Sequence, residues 1–486
     1  CGNSSYSQTS LLADLHLSSY SNSLGGFESS LTIGNLTYFY AYHTNSGAEV
    51  WRTDGTAAGT FMLKELHAGF ANVYSTKEMA ELNGKLIFGG YDEDYGVELF
   101  ITDGTSAGTQ LLKDIDPGAG SSRPHNFHVW NGYLYFAAET PDYGIELWRS
   151  NGTAAGTVLF KDLNPGTEGS NPFGFTPYQN KLYFFATTAT HGQEVWVSTG
   201  SSFNTNVLID LNPGAGDGII DFNTCSHYPS NRLVEANGYL FFDGAKDGSN
   251  QELFRTQGTF PTTVMVKNIH LTDASSPQHL TAMGGILYFS ADNGTNGYEL
   301  WKSDGSNAGT ILLKDINSGG GSSCIKDMIV LGDTLYFIAD NGIHGSELWK
   351  SNGTTAGTQL VKNINPSPTG SEIANLTIYN HALYFTADDG TNGREVWTSG
   401  SRSWNTVPIT DVPGSTANDV SSFLHIAGGN LMYYDNNNLY FSQSTIGTES
   451  IIKGLSIYMV CTCIQDCQNT TFVSISKRLQ GRDAYG

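Results

Sequence analysis

Carboxylates do most of the acid and base work of enzymes, and in this chain one glutamate returns with a regular beat. The phrase E-(L/V)-(W/F)-x-(S/T)-x-G places it at Glu49, Glu98, Glu146, Glu194, Glu252, Glu299, Glu347 and Glu395, at intervals of 47 to 49 residues except for one of 58. An active site needs one constellation, so a carboxylate present in every repeat is expected to serve the scaffold instead. The role predicted for it is cross-strand pairing with the lysines that recur fifteen residues later, Lys64, Lys113, Lys161, Lys267, Lys314 and Lys362. The tryptophans beside it, Trp51, Trp148, Trp196, Trp301, Trp349 and Trp397, give way to Phe100 and Phe254 in the same slot. A position that accepts either ring wants bulk, which points to packing between repeats.

Other chemistry-bearing residues are scattered. Asp-rich segments such as YDEDYGVE, ADNGTNGYE and TADDGTNGRE offer Asp92, Asp94, Asp292, Asp388 and Asp389 as Ca²⁺ ligands. None completes the D-x-[DN]-x-[DN]-G-x5-E pattern, so these aspartates read first as turn formers, with Ca²⁺ the one cofactor they could hold. The 12 histidines contain no H-E-x-x-H pair, and neither a G-x-S-x-G elbow nor a phosphate loop is present; DGTAAGT lacks the Lys-Ser/Thr ending of the latter. The expectation is a protein that is not an enzyme.

Six cysteines, Cys1, Cys225, Cys324, Cys461, Cys463 and Cys467, form an even set that predicts disulfides in an oxidising compartment. The C-x-C-x3-C spacing of the last three matches no standard zinc site. A cysteine in first place also suits a lipid-bearing bacterial lipoprotein, which would leave an odd number of thiols. The sequons at Asn3, Asn35, Asn151, Asn293, Asn352, Asn375 and Asn469 are candidate glycosylation sites, although Asn-Gly-Thr is also a common turn phrase.

The elements that must carry these residues follow from one repeat. Residues 280–316, LTAMGGILYFSADNGTNGYELWKSDGSNAGTILLKDI, hold four short apolar or aromatic runs separated by Gly-, Asn- and Asp-rich turns. Such turns tolerate positive φ, so the unit is predicted to be a four-stranded antiparallel meander. A single meander exposes two apolar faces. Stacking the units around an axis hides them, and a period near 48 residues fits neither a β-helix nor a chain of Ig-like domains. The predicted class is therefore all-β, a β-propeller of eight or nine four-stranded blades with a short C-terminal β extension.

By this reading residues 1–30 carry a segment resembling a fourth strand (SLLADL), which either closes the ring or is donated. Residues 31–421 are eight clear repeats, 422–455 a degenerate ninth ending in its own fourth-strand phrase TESIIKGL, and 456–486 a cysteine-containing tail. One strand would then be surplus. Composition agrees with the class: 57 Gly, 25 Tyr and 25 Phe among 486 residues, and only 14% charged. The formal charge of -22 disfavours nucleic acid and anionic membranes, and no apolar run is long enough to span a bilayer.

The stretch ELWKSDGSNAGTILLKDINSG at 299–319 resembles the ELWxSDGTxxGTxLVKDINPG repeat of large secreted and surface proteins of bacteria. The resemblance covers residues 31–421 and implies an extracellular or cell-surface propeller; it brings no catalytic residue with it. The phrase decays in units four, five and eight, where a specialised surface would most easily arise. Taken together, these features predict a non-enzymatic structural or adhesive protein of the bacterial surface, its partners copies of itself, joined by terminal strand exchange or disulfides, with a filament as one form of the assembly. The alternatives are a glycan- or protein-binding surface module and, less in keeping with the residues, a central-channel propeller enzyme.

Overall fold

A computed structural model describes residues 8–14, 29–43, 47–67, 77–220, 232–400, 406–409, 424–427, 430–435 and 438–443. Eight four-stranded antiparallel sheets follow one another along the chain, each made from four consecutive strands, and together they are the blades of an all-β propeller. In the third blade the strands are His125–Trp130, Tyr133–Thr140, Gly144–Ser150 and Val158–Lys161. Asn131 and Gly132 close the first hairpin with φ of 49° and 76°, the left-handed pair that a two-residue turn needs.

Register puts the repeat phrase to use. Phe136 lies opposite Trp148 and Ala138 opposite Glu146, so this ring pair and the glutamate share one face, while Leu147 pairs with Lys161 on the other. The fourth strand bulges between the partners of Leu147 and Trp148, leaving Phe160 unpaired in the ladder and buried. The same bulge recurs in the second, fourth, fifth, sixth and seventh blades.

Among the described residues no blade has a core of its own. Each apolar cluster combines the facing sides of two neighbouring blades. Leu99, Ile101, Leu112 and Ile115 of the second blade pack with Leu134, Phe136 and Trp148 of the third, and Leu147, Phe160 and Leu163 of the third pack with Phe175, Phe184 and Trp196 of the fourth. The recurring rings Phe100, Trp148, Trp196, Phe254, Trp301, Trp349 and Trp397 are all buried, as packing between repeats requires. Truncating one such ring costs about 3–5 kcal/mol in a close-packed interior.

A ninth four-stranded sheet is composite. Leu424–Ala427, Asn430–Asp435 and Asn438–Gln443 supply three strands, and the outermost position beside Asn438–Gln443 is filled by Gln8–Asp14 from the other end of the chain. The innermost strand Leu424–Ala427 touches Ala374–Tyr379 of the eighth blade and Ser30–Ile33 of the first, so the ninth sheet closes the ring. The segment TESIIKGL, the proposed tail strands of 456–486 and the cysteines Cys1, Cys225, Cys461, Cys463 and Cys467 lie outside the described residues.

The expectation of disulfides is corrected by the structure. Cys324 is a half-buried thiol in no disulfide among the described residues. It occupies the left-handed residue (φ 42°) of the loop entering the seventh blade, the place that Arg123, Asn171 and Glu372 hold in other blades with φ of 43°, 45° and 46°. Its neighbour Ser323 is pinned on both sides: its N–H and hydroxyl donate to Tyr298, and its carbonyl accepts from Asp340.

Candidate functional site

All eight of the recurring glutamates are buried. Their partners differ from those the spacing suggested. Glu146 accepts from the backbone N–H of Leu163 at 2.9 Å and Asn164 at 3.0 Å, and from the hydroxyl of Ser170 at 2.7 Å. Glu98 accepts from the N–H of Ile115, Asp116 and Ser122 and from the Ser122 hydroxyl at 2.6 Å. Glu252 and Glu347 repeat the pattern with Ser275 and Ser371. Each carboxylate thus gathers the loop that leaves its own fourth strand.

The same serines reach forward. The carbonyls of Ser122, Ser170, Ser275 and Ser371 accept from the second strand of the following blade, at Glu139, Thr187, Asp292 and Asp388. Glutamate, loop and next blade therefore form one hydrogen-bonded unit. A carboxylate suits this place because it only accepts, and three or four donors converge on it.

Expected pairing of the glutamates with the recurring lysines is corrected for a simple reason. Lys161 lies opposite Leu147, one residue on from Glu146, and so on the other face of the sheet. From there the ammonium groups cross to the next blade: Lys64 donates to the Thr109 carbonyl at 3.3 Å, Lys161 to Thr205, Lys267 to Thr310 at 2.7 Å and Lys362 to Thr406 at 2.9 Å. The basic residue after the tryptophan makes a second crossing, Arg52 to the Gly104 carbonyl, Arg149 to Gly200 and Lys302 to Gly353.

Burial drives the carboxyl pKa values up, and the hydrogen bonds that each carboxylate accepts pull them back. Glu98, Glu146, Glu252 and Glu347, each with a serine hydroxyl, are raised by burial against the pull of their hydrogen bonds. Glu299 is pushed up to about 7 by burial, with Asp315 adding to the rise and the N–H groups of Ile316 and Asn317 opposing it. Glu194 reaches about 8, and so does Glu49. In the fourth blade Gly218 stands where the second, third, fifth, sixth and seventh blades have serine, and one Glu194 oxygen has no hydrogen-bond partner among the described residues. A Cβ on Gly218 would come within 2.2 Å of the other oxygen, so the glycine makes room for the acid.

The D-G-T-x-x-G-T phrase is a self-contained turn. Asp103 Oδ1 accepts from the N–H and hydroxyl of Thr105, the Thr105 hydroxyl accepts from Gly108 N–H, and the Thr109 hydroxyl meets that of Thr102 at 2.7 Å. The threonine and glycine donors are consumed inside the turn rather than offered to a phosphate. Asn151 and Asn352 play the aspartate's part, each accepting from the threonine of its own sequon. Of the remaining sequons, Asn35 is exposed in a hairpin turn, Asn293 donates to Asn296 Oδ1 at 3.0 Å, and Asn375 is a half-buried bulge residue with φ of 59°. Asn3 and Asn469 lie outside the described residues.

The aspartates considered for Ca²⁺ cap their own turns. Asp92 accepts from Asp94 N–H, Asp292 from Gly294, Asp388 from Gly390, and Asp389 from Thr391 and Asn392. Among the described residues no group of three or more His, Cys, Asp and Glu side chains is placed to hold a metal, and no helix is long and apolar enough to cross a membrane.

Sequence reasoning missed a one-off cluster in the fifth blade. The Arg232 guanidinium makes a bidentate pair with Asp243, and it donates, with Gln251 Nε2, to the Ile220 carbonyl, each at 3.0 Å. Asp243 sits in the second strand where the third blade has Ala137, the sixth Ser290 and the eighth Thr386, and a charged residue in that column was the available signal. Through the Ile220 carbonyl the pair ties the chain just before residue 221 to the entry of the fifth blade at Arg232. Two further oddities are Phe203 and Phe260, 86% and 64% exposed, on the third-to-fourth turns of the fourth and fifth blades, where the D-G-T phrase is lost.

No family model matches the chain, and no curated protein matches it. Solved structures do. BamB from Moraxella catarrhalis is 11% identical with a TM-score of 0.40, over 78% of this chain and 98% of that one. Puromycin hydrolase is 12% identical with a TM-score of 0.36, over 78% of this chain and 60% of that one. A structure from a study of two prolyl endopeptidases is 13% identical with a TM-score of 0.40, over 73% and 53%. At such identities and scores these likenesses carry no argument about activity; what the described residues themselves amount to is a β-propeller scaffold.

Proposed function

We propose that this protein is a non-enzymatic structural propeller of the bacterial cell surface or its surroundings, and that it self-associates. The observation that carries the reading is the composite ninth sheet, in which a strand from one end of the chain completes a sheet built from the other. Such a strand can be supplied by another copy through the same main-chain hydrogen bonds. The blades support the reading in a second way. Their repeated glutamates, lysines and D-G-T turns are occupied in holding loops and neighbouring blades, so the chemistry that recurs is mechanical. Light scattering and electron microscopy over a concentration series test the proposal: oligomers or filaments that grow with concentration are expected, and monodisperse monomers at high concentration would overturn it.

One observation favours a second reading. The exposed rings of Phe203 and Phe260 stand on adjacent blades where regular turns carry small residues, which suits a glycan- or protein-binding face. Loss of glycan-array or partner binding in a Phe203→Ser, Phe260→Ser variant of unchanged stability would support it, and unchanged binding would remove it.

A further inference from the structure

Each recurring glutamate has a same-face neighbour that its hydrogen bonds leave out. In the fourth blade Val195 lies opposite Ile209, so the next step of the ladder brings Asp210 opposite Glu194. The pairs Leu99–Lys113, Leu147–Lys161 and Leu300–Lys314 likewise bring Asp114 opposite Glu98, Asp162 opposite Glu146 and Asp315 opposite Glu299. In all four aspartates one side-chain oxygen is buried with no hydrogen-bond partner among the described residues.

The fifth blade shows what that place demands. There the neighbour is Asn268, and its amide, oriented so that both of its ends are satisfied, donates to Glu252 Oε1 at 3.2 Å and to the His270 carbonyl at 2.9 Å. A side chain at this position therefore reaches the glutamate, and an amide brings a hydrogen that an ionised aspartate lacks.

The shortage is greatest in the fourth blade. Gly218 offers no hydroxyl, and the buried Glu194 and its neighbour Asp210 each keep one oxygen unpartnered. Charged groups on the surrounding elements are engaged elsewhere. Asp217 accepts from Gln193 N–H at 2.7 Å, Arg232 is paired with Asp243, and His191 is bonded to Thr188 and Thr190. Lys161 donates to the Ser202 and Thr205 carbonyls, Lys246 is exposed at the end of its strand, and Ile209 stands where six other blades place lysine. Burial, with Asp210 adding to it, pushes the Glu194 carboxyl up to about 8.

We propose that Glu194 and Asp210 share one proton and together form a pH-sensitive latch on the loop that leaves the fourth blade. Protonated Glu194 gives its O–H to the Asp210 carboxylate, so one hydrogen bond satisfies both unpartnered oxygens. The other Glu194 oxygen holds the N–H groups of Leu211 at 3.0 Å and Asn212 at 3.3 Å, and the same loop reaches the fifth blade where the Gly218 carbonyl accepts from Ala245 N–H. As pH rises through about 8 the proton passes to solvent. Two like charges then face each other inside the joint, and the loop loosens.

The test uses the full chain and conservative variants. The infrared difference spectrum between wild type and Asp210→Asn at pH 7 should show the loss of one carbonyl stretch of a protonated carboxylic acid, because the amide now brings the hydrogen and Glu194 ionises. Glu194→Gln should lose the same band, which assigns it. Asp210→Ser, whose hydroxyl also donates, replaces the amide variant if that one does not fold. Hydrogen-exchange protection of residues 211–219, corrected for the intrinsic rate, should fall in wild type between pH 7 and pH 9 and stay level in the variants. A band lost in Glu194→Gln but kept when Asp210 is replaced would show that Glu194 holds its proton alone, and would overturn the shared proton. Equal falls in protection in wild type and variants would overturn the latch.

Discussion

At the residue scale, the molecule spends its charge on joints. Glu146 is closed in by two backbone N–H groups and one hydroxyl, all of them donors. Glu146→Gln turns an acceptor into an NH₂ facing donors, and a loss of about 1–3 kcal/mol is expected by urea denaturation, as for a buried group left unpaired. Ser170→Ala should cost less and raise the Glu146 carboxyl further. Glu194 differs, since its pKa of about 8 lies far above that of an unfolded glutamate. Between about pH 4.5 and 8 the folded chain holds a proton there that the unfolded chain has released, so this contribution to stability is complete in acid and is lost as pH rises through 8. Glu194→Gln, a permanent mimic of the protonated acid, should flatten the decline in denaturation midpoint between pH 5 and pH 8.5. An unchanged slope would show that Glu194 is not the group titrating.

At the scale of elements, each sheet is incomplete without the next. Trp148 packs against Leu99, Ile101 and Leu112 of the preceding blade, so Trp148→Ala removes core from two blades at once. A loss of about 3–5 kcal/mol is expected, with hydrogen exchange rising across both the second and third blades rather than the third alone. Lys267→Ala, by contrast, removes one bond to the Thr310 carbonyl. It should cost about 1 kcal/mol, with increased exchange confined to the junction of the fifth and sixth blades.

At the scale of the whole molecule, the ring depends on the composite ninth sheet. Replacing both Thr9 and Ser10 by proline removes a ladder N–H from the strand that lies beside Asn438–Gln443, because one of two consecutive residues in an outermost strand faces its partner. The expected outcome is a ring loosened at one junction, read as faster exchange in the first and eighth blades, which flank the ninth sheet, and little change in the fourth. Uniform loosening of all blades would instead mean that the ring unfolds as one cooperative unit.

Much of this was legible in the chain itself, because a period of about 48 residues with four apolar runs leaves few ways to hide two faces of every sheet. The interchange of Trp and Phe beside each glutamate likewise marked those rings as packing. Spacing alone could not assign the partners of the glutamates: residues fifteen apart look paired along the repeat, but the bulged register sends the carboxylate to one face and the lysine to the other. Nor could it show that Cys324 sits in a doubly pinned left-handed loop, or that Arg232 pairs with Asp243 and reaches the Ile220 carbonyl. Local pattern determines which strands form and how they alternate; which faces meet, and which polar groups then lose water and need a partner, is decided only when neighbouring blades close on one another.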